Sequence, residues 1–171
     1  ESGQTERLLE GLPAKVTLTA RPIDGDGPTG PEVRKVSDDP LVHRFRVEQL
    51  PKGTEAVRYG IEAACGDTVV AADNGHGRVN LPPSGDRLRI VAIGDSRTNT
   101  DDWAAVAAAV RGVEPDLVLH TGDMVGNGRN DWEWDDHFWA GGRKLLADVP
   151  LFAVHGNHEA NAEVFWLLCR T

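Results

Sequence analysis

The sequence predicts a small N-terminal β-sandwich followed by an α/β unit of order β-α-β-α-β-α. Three observations carry this: period-two apolar alternation through residues 1–80, a proline-rich break at 81–87, and short apolar runs alternating with helical periodicity over 88–171. In the first part, Val16, Leu18 and Ala20 alternate with Thr17 and Thr19, and Phe45 and Val47 with Arg44, Arg46 and Glu48. Val57, Tyr59, Ile61 and Ala63 alternate with Arg58, Gly60 and Glu62. Each pattern suits a strand with one buried face and one wet face. Turn clusters Asp24-Gly25-Asp26-Gly27-Pro28 and Leu50-Pro51-Lys52-Gly53-Thr54 separate the strands, at a spacing typical of a sandwich. Asp24 and Asp26 lack the further oxygen donors of a calcium loop, so a plain turn is expected there.

Pro82 and Pro83 forbid helix and interrupt a strand ladder, which makes 81–87 a linker. Beyond it, Leu88–Ile93 is almost continuously apolar, as expected of a parallel strand buried on both faces. Asp101–Arg111 places Trp103, Val106, Ala107 and Val110 on one helical face, with Thr100 expected to cap the helix and Gly112 to stop it. Asp116–His120 reads as a second strand, 130–146 as a Trp-rich helical stretch, Leu151–Val154 as a third strand, and a last helix is expected from about Asn161. Such alternation implies a parallel sheet with right-handed crossovers. The helical spacing of Trp132, Trp134 and Trp139 favours core packing over a substrate-facing wall.

Composition narrows the function. The net charge of −9 is spread over both parts, with 10 basic and 14 acidic residues before residue 87, and 8 and 13 from there on. Neither part carries a basic footprint, so nucleic-acid binding by charge is not expected. No apolar run reaches the roughly 18 residues of a membrane span. Cys65 and Cys169 are one possible pair, too few for a disulfide framework, and are expected to be separate buried thiols. Glu1 reads as a processed end without a signal peptide.

The chemistry gathers at the strand ends. The three α/β strands run into Gly94-Asp95-Ser96-Arg97, Gly122-Asp123-Met124-Val125 and Gly156-Asn157-His158-Glu159. In an open α/β sheet the ligand site lies beyond the carboxyl ends of the strands, and a glycine before each polar residue is expected to let the chain turn sharply. Asp95, Asp123 and Asn157 offer oxygen donors suited to divalent or trivalent cations. A pair of metals would hold a hydroxide for in-line attack on phosphorus, and His158 would assist the leaving oxygen. Glu159 is expected to support the N-terminus of the following helix. His120 and His155, just before two of the motifs, are expected to be satisfied core or supporting histidines.

Gly122-Asp123 followed by Gly156-Asn157-His158-Glu159, with Trp139 and Pro150–His155 leading in, resembles the calcineurin-like metallophosphoesterase superfamily. The resemblance implies that Asp95 binds one metal, Asp123 bridges two, Asn157 binds the second and His158 assists catalysis. The metals would be Mn, Fe or Zn and the substrate a phosphomonoester or phosphodiester. Leu50–Thr54 and Tyr59-Gly60-Ile61 make residues 1–80 similar to the fibronectin type III-like module of purple acid phosphatases, which implies an extracellular or periplasmic location.

The sequence departs from that family in three ways. Arg97 stands where the family's first block, D-x-H, has its histidine, and would either grip substrate phosphate or pair with a nearby carboxylate. Gly126 stands where purple acid phosphatases carry the metal-binding tyrosine of GDxxY. The family's later histidine blocks are not among these 171 residues, so the α/β part is expected to be the first half of its domain, with a missing C-terminal half or a partner chain completing the metal site. That keeps two other readings open. One is a truncated or degenerate relative acting as a binding module. The other is a GDSL-type serine esterase with Ser96 as nucleophile, whose D-x-x-H motif would have to be Asp73–His76 in the other domain.

Overall fold

The computed structural model describes residues 15–23, 31–36, 43–81, 87–160 and 162–169. The Asp24–Pro28 turn, the prolines of the linker and the start of the last helix at Asn161 lie outside the described residues. So do the side chains of Asp73–His76. The chain divides into two compact units, Glu1–Arg78 and Val79–Thr171.

The first unit contains β1 (Lys15–Pro22), β2 (Glu32–Lys35), β3 (Phe45–Glu48), β4 (Ala56–Cys65) and β5 (Thr68–Asn80). They form a three-stranded sheet in the order β1-β4-β5 and a two-stranded sheet of β2 and β3. The β1–β4 pairing is antiparallel and sets Leu18 opposite Ile61 and Ala20 opposite Tyr59. The apolar members of both alternating patterns therefore share one face. Gly53 (φ +85°) and Gly66 (φ +58°) take left-handed turns that glycine adopts without a Cβ penalty. Cys65 is exposed, because it ends β4 at the Gly66 turn, and Cys169 is half-buried. The expectation of two buried thiols is corrected accordingly. Burial pushes the Cys169 thiol up to about 11.

The second unit opens with β6 (Ile90–Ile93) and α1 (Thr100–Gly112), followed by β7 (Leu117–His120). A helical stretch then runs through α2 (Asp131–Glu133), a π-helical segment (Trp134–Trp139) and α3 (Ala140–Asp148). β8 (Leu151–Ala153) and α4 (Glu163–Cys169) complete it. The strands pair in parallel in the order β6-β7-β8. Asn99, not Thr100, caps α1: its side-chain oxygen accepts from the backbone N–H groups of Asp101 and Asp102, an arrangement that contributes about 1 kcal/mol. Thr100 lies in the first turn and donates its hydroxyl to the carbonyl of Asp136. Trp103 Nε1 likewise donates to the carbonyl of Phe138 at 2.9 Å. Both acceptors belong to the π-helical segment, so α1 side chains tie that segment to the helix they project from.

The core lies between the sheet and these helices, formed by Trp103, Ala107, Val110, Val118, Trp134, Phe138 and Leu145 among others. Trp103 stacks on Phe138 with ring centroids 5.7 Å apart. Trp134 is buried and Trp139 packs partly against the core, as their spacing predicts, whereas Trp132 is exposed beside His137. One expectation fails. The apolar runs are not buried on both faces: Val91, Ile93, Leu151 and Ala153 pack inward, while Ile90, Leu119 and Phe152 are 40–48% exposed on the other face. Among the described residues, helices cover only one side of this sheet.

Candidate metal centre

The loops leaving β6, β7 and β8 form one rim, and backbone hydrogen bonds beyond the strand ends bind them together. Thr121 donates to Ile93 (2.9 Å), Asp95 to Gly122 (3.1 Å), Val154 to His120 (3.0 Å) and Gly128 to His158 (2.9 Å). The three glycines do not act alike. Only Gly122 has a positive φ (+100°). Gly94 and Gly156 permit close approach instead, since a Cβ at Gly94 would strike the Thr121 hydroxyl and one at Gly156 would strike Asp123. The left-handed turns fall on the acids themselves, Asp95 (φ 54°) and Asp123 (φ 58°), conformations that aspartate tolerates better than most residues.

Asp123 is buried, and its Oδ1 accepts the backbone N–H of His158 at 3.1 Å. Its Oδ2 accepts from Arg97 Nη1, and the same nitrogen lies 3.5 Å from Asp95 Oδ1. Of the two roles open to Arg97, pairing with carboxylates is the one the structure displays. Burial pushes the Asp123 carboxyl up, but the His158 N–H and the Arg97 charge outweigh it and hold the group below the usual range. His158 donates Nδ1–H to the carbonyl of Gly126 at 2.6 Å, which leaves Nε2 as its available ring nitrogen. Asp95 and Asn157 are exposed. The structure therefore joins Asp95, Arg97, Asp123 and His158 in one contact network and places Asn157 beside it in sequence on an exposed loop.

Two glutamates hold this rim. Glu159 is fully buried and accepts four backbone N–H groups: Asp123 (2.9 Å), Met124 (2.8 Å), Val125 (3.2 Å) and Gly156 (2.6 Å). It clamps the loop after β7 to the loop after β8 rather than serving the N-terminus of α4, a correction that only the fold could supply. Glu133 accepts from the Asn127 N–H (3.0 Å) and the Asn130 side chain (2.8 Å). Sequence reasoning passed over Glu133, although Asn130-Asp131-Trp132-Glu133 has the spacing of a capping box.

The two histidines just before the motifs differ. His155 is exposed, with its ring against the edges of Phe165 and Trp166, which corrects the expectation of a core residue. His120 is buried, edge-on to Trp103 and Phe138. Its Nδ1 accepts the Gly122 N–H (3.1 Å), so the ring proton sits on Nε2, 3.0 Å from Ser96 Oγ. His120 then donates to Ser96 and cannot take its proton, so it is not the base a serine nucleophile requires.

Burial lowers the His120 pKa from 6.5 to about 4. Unfolding restores the ordinary value, so between those limits the unfolded chain binds more protons and stability rises with pH. We expect about 3 kcal/mol, present above pH 6.5, to be lost as the pH falls to about 4. Denaturation at a series of pH values checks this. His120→Gln should flatten that part of the profile, and an unchanged slope in the variant would assign the effect to other groups.

Comparison with known proteins agrees with this geometry. Residues 88–170 match the family model described as calcineurin-like phosphoesterase. Over those residues the chain is similar to that family, and the resemblance read from its strand-end motifs stands. Among solved structures, the chain is similar to the purple acid phosphatase PPD1 isolated from yellow lupin (Lupinus luteus) seeds, with a TM-score of 0.59 and 17% identity. The match covers 86% of this chain and 31% of the lupin chain. At that identity it shows a shared fold. No curated protein matches.

The family implies a pair of metals, and the described residues do not fit one. Among them, no group of three or more His, Cys, Asp or Glu side chains is placed to hold an ion. Asp95, Asp123 and Asn157 are too few to give each of two ions about four ligands, and the cation between the two aspartates is Arg97.

Proposed function

We propose that this chain contributes the Asp95–Asp123–Asn157–His158 rim of a metal-dependent phosphoesterase that hydrolyses a phosphomonoester or phosphodiester. The supporting observation is that loops after three successive parallel strands converge in a segment similar to the calcineurin-like phosphoesterases, with Asp123 tied to both Arg97 and the His158 backbone. On this reading Asp95, Asp123 and Asn157 are the chain's donors to Mn, Fe or Zn once Arg97 has left the space between the two aspartates. The remaining ligands come from further sequence or a partner chain, since this chain spans about 31% of the lupin chain's length. His158 Nε2 and Arg97 would face the phosphate ester. We read residues 1–80 as a fibronectin type III-like module of an extracellular or periplasmic protein. In support, the lupin match covers 86% of this chain, more than the second unit alone could supply. Among the described residues no helix is long and apolar enough to cross a membrane.

A second reading, a relative that binds without hydrolysing, is favoured by the Arg97 bridge, which puts a fixed cation where the family implies metal. Hydrolysis of p-nitrophenyl phosphate and bis(p-nitrophenyl) phosphate by the purified chain, with Mn, Fe or Zn supplied in turn, separates the two. Metal-dependent turnover abolished by Asp123→Asn supports the enzyme. Absence of turnover with every metal assigns catalysis to a longer assembly and favours the binding module for this chain.

A further inference from the structure

We propose that Arg97 is a built-in cation that takes the place of a metal ion between Asp95 and Asp123, so that this pair of carboxylates is closed to metal until Arg97 is removed. One guanidinium nitrogen, Nη1, addresses both carboxylates, donating to Asp123 Oδ2 and lying 3.5 Å from Asp95 Oδ1. A divalent ion bound by the same two oxygens would have to occupy the space that nitrogen fills. The Arg97 and Asp123 side chains are only 29% and 13% exposed, so water screens the pairing weakly, whereas Asp95 stands 73% exposed at its outer end.

The local fold holds both ends in place. Asp123 cannot swing away, because its Oδ1 accepts the His158 N–H and its own N–H is held by Glu159. Arg97 is displaced from the start of α1 by only two residues, Thr98 and Asn99, the second of which caps that helix. An incoming metal must therefore break a partly buried ion pair and then remain beside the released charge, and both costs oppose binding.

Mn²⁺ binding to the purified chain tests this, followed by calorimetry and by the paramagnetic resonance of free Mn²⁺. The readout is independent of hydrolysis, so failure of the phosphoesterase reading leaves it intact. Arg97→Met should bind Mn²⁺ at least about tenfold more tightly than the native chain, because the repelling charge is gone. Arg97→Lys should resemble the native chain, and Arg97→His should bind most tightly, because imidazole adds a donor. Adding Asp123→Asn to Arg97→Met should abolish the gain. If Arg97→Met fails to fold, Arg97→Gln carries the same comparison while keeping a hydrogen-bond donor towards Asp123. Three results would overturn the proposal: equal affinity with and without Arg97, a gain that survives Asp123→Asn, or no metal binding in any folded variant.

Discussion

Glu159→Gln is expected to lower the stability of the chain by about 4 kcal/mol, because one buried carboxylate satisfies four backbone N–H groups and hydrogen bonds to a charged acceptor contribute about 1.5–3 kcal/mol each. Glutamine keeps one oxygen and turns an NH₂ group towards N–H donors, which cannot pair with it. The residue is fully buried, so water cannot replace the lost acceptor. Urea denaturation of the two proteins measures the loss, with Glu163→Gln on the exposed side of α4 as a control expected to shift by less than about 0.5 kcal/mol. Amide exchange adds a local readout: Asp123, Met124, Val125 and Gly156 should lose protection first. A loss below about 1 kcal/mol would mean that the clamp is not what holds these loops.

Gly122→Ala should cost a comparable amount, about 3–4 kcal/mol, for two reasons that add. Its φ of +100° lies outside the small left-handed region open to alanine. A Cβ there would also strike the backbone of the loop after β8: the Gly156 nitrogen, the Gly156 Cα at 2.6 Å and the His155 carbonyl carbon at 2.7 Å. Backbone atoms within a hydrogen-bonded rim cannot rotate aside as a side chain can. Gly53→Ala isolates the first reason, since Gly53 has a φ of +85° with nothing within 4 Å of the added carbon. It should cost about 1 kcal/mol, the strain alone. Equal losses in the two variants, measured by thermal or urea unfolding, would show that close approach between the loops contributes nothing.

The strand-end motifs were legible because they combine local signals: an apolar run, a glycine and an acid or amide, repeated three times at the spacing of β-α-β units. The order β-α-β-α-β-α followed from the same periodicities, and its boundaries shifted by only a few residues. What the chain conceals is whatever depends on partners distant in sequence. Glu159 reads locally as a helix-start residue, yet its acceptor role is to residues 34–36 positions earlier. His120 stands two residues before Gly122 and His155 one before Gly156, and the fold walls in the first ring with Trp103 and Phe138 while leaving the second at the surface. Arg97 left two roles open until the fold brought Asp95 and Asp123 to one nitrogen. Gly94 and Gly156 resemble turn glycines in sequence, but their small size serves contacts across loops.

The half-covered parallel sheet has a calorimetric consequence. The heat capacity of unfolding grows with the apolar surface newly exposed to water, typically about 12–15 cal/mol/K per residue. Ile90, Leu119, Phe152 and Val154 are already 40–61% wetted in the folded chain, so each adds only part of its surface on unfolding. The second unit therefore has a shallow stability curve, with less curvature on either side of its maximum than a fully covered sheet of the same length. Covering that face, by whatever means, would steepen the curve as well as raise it.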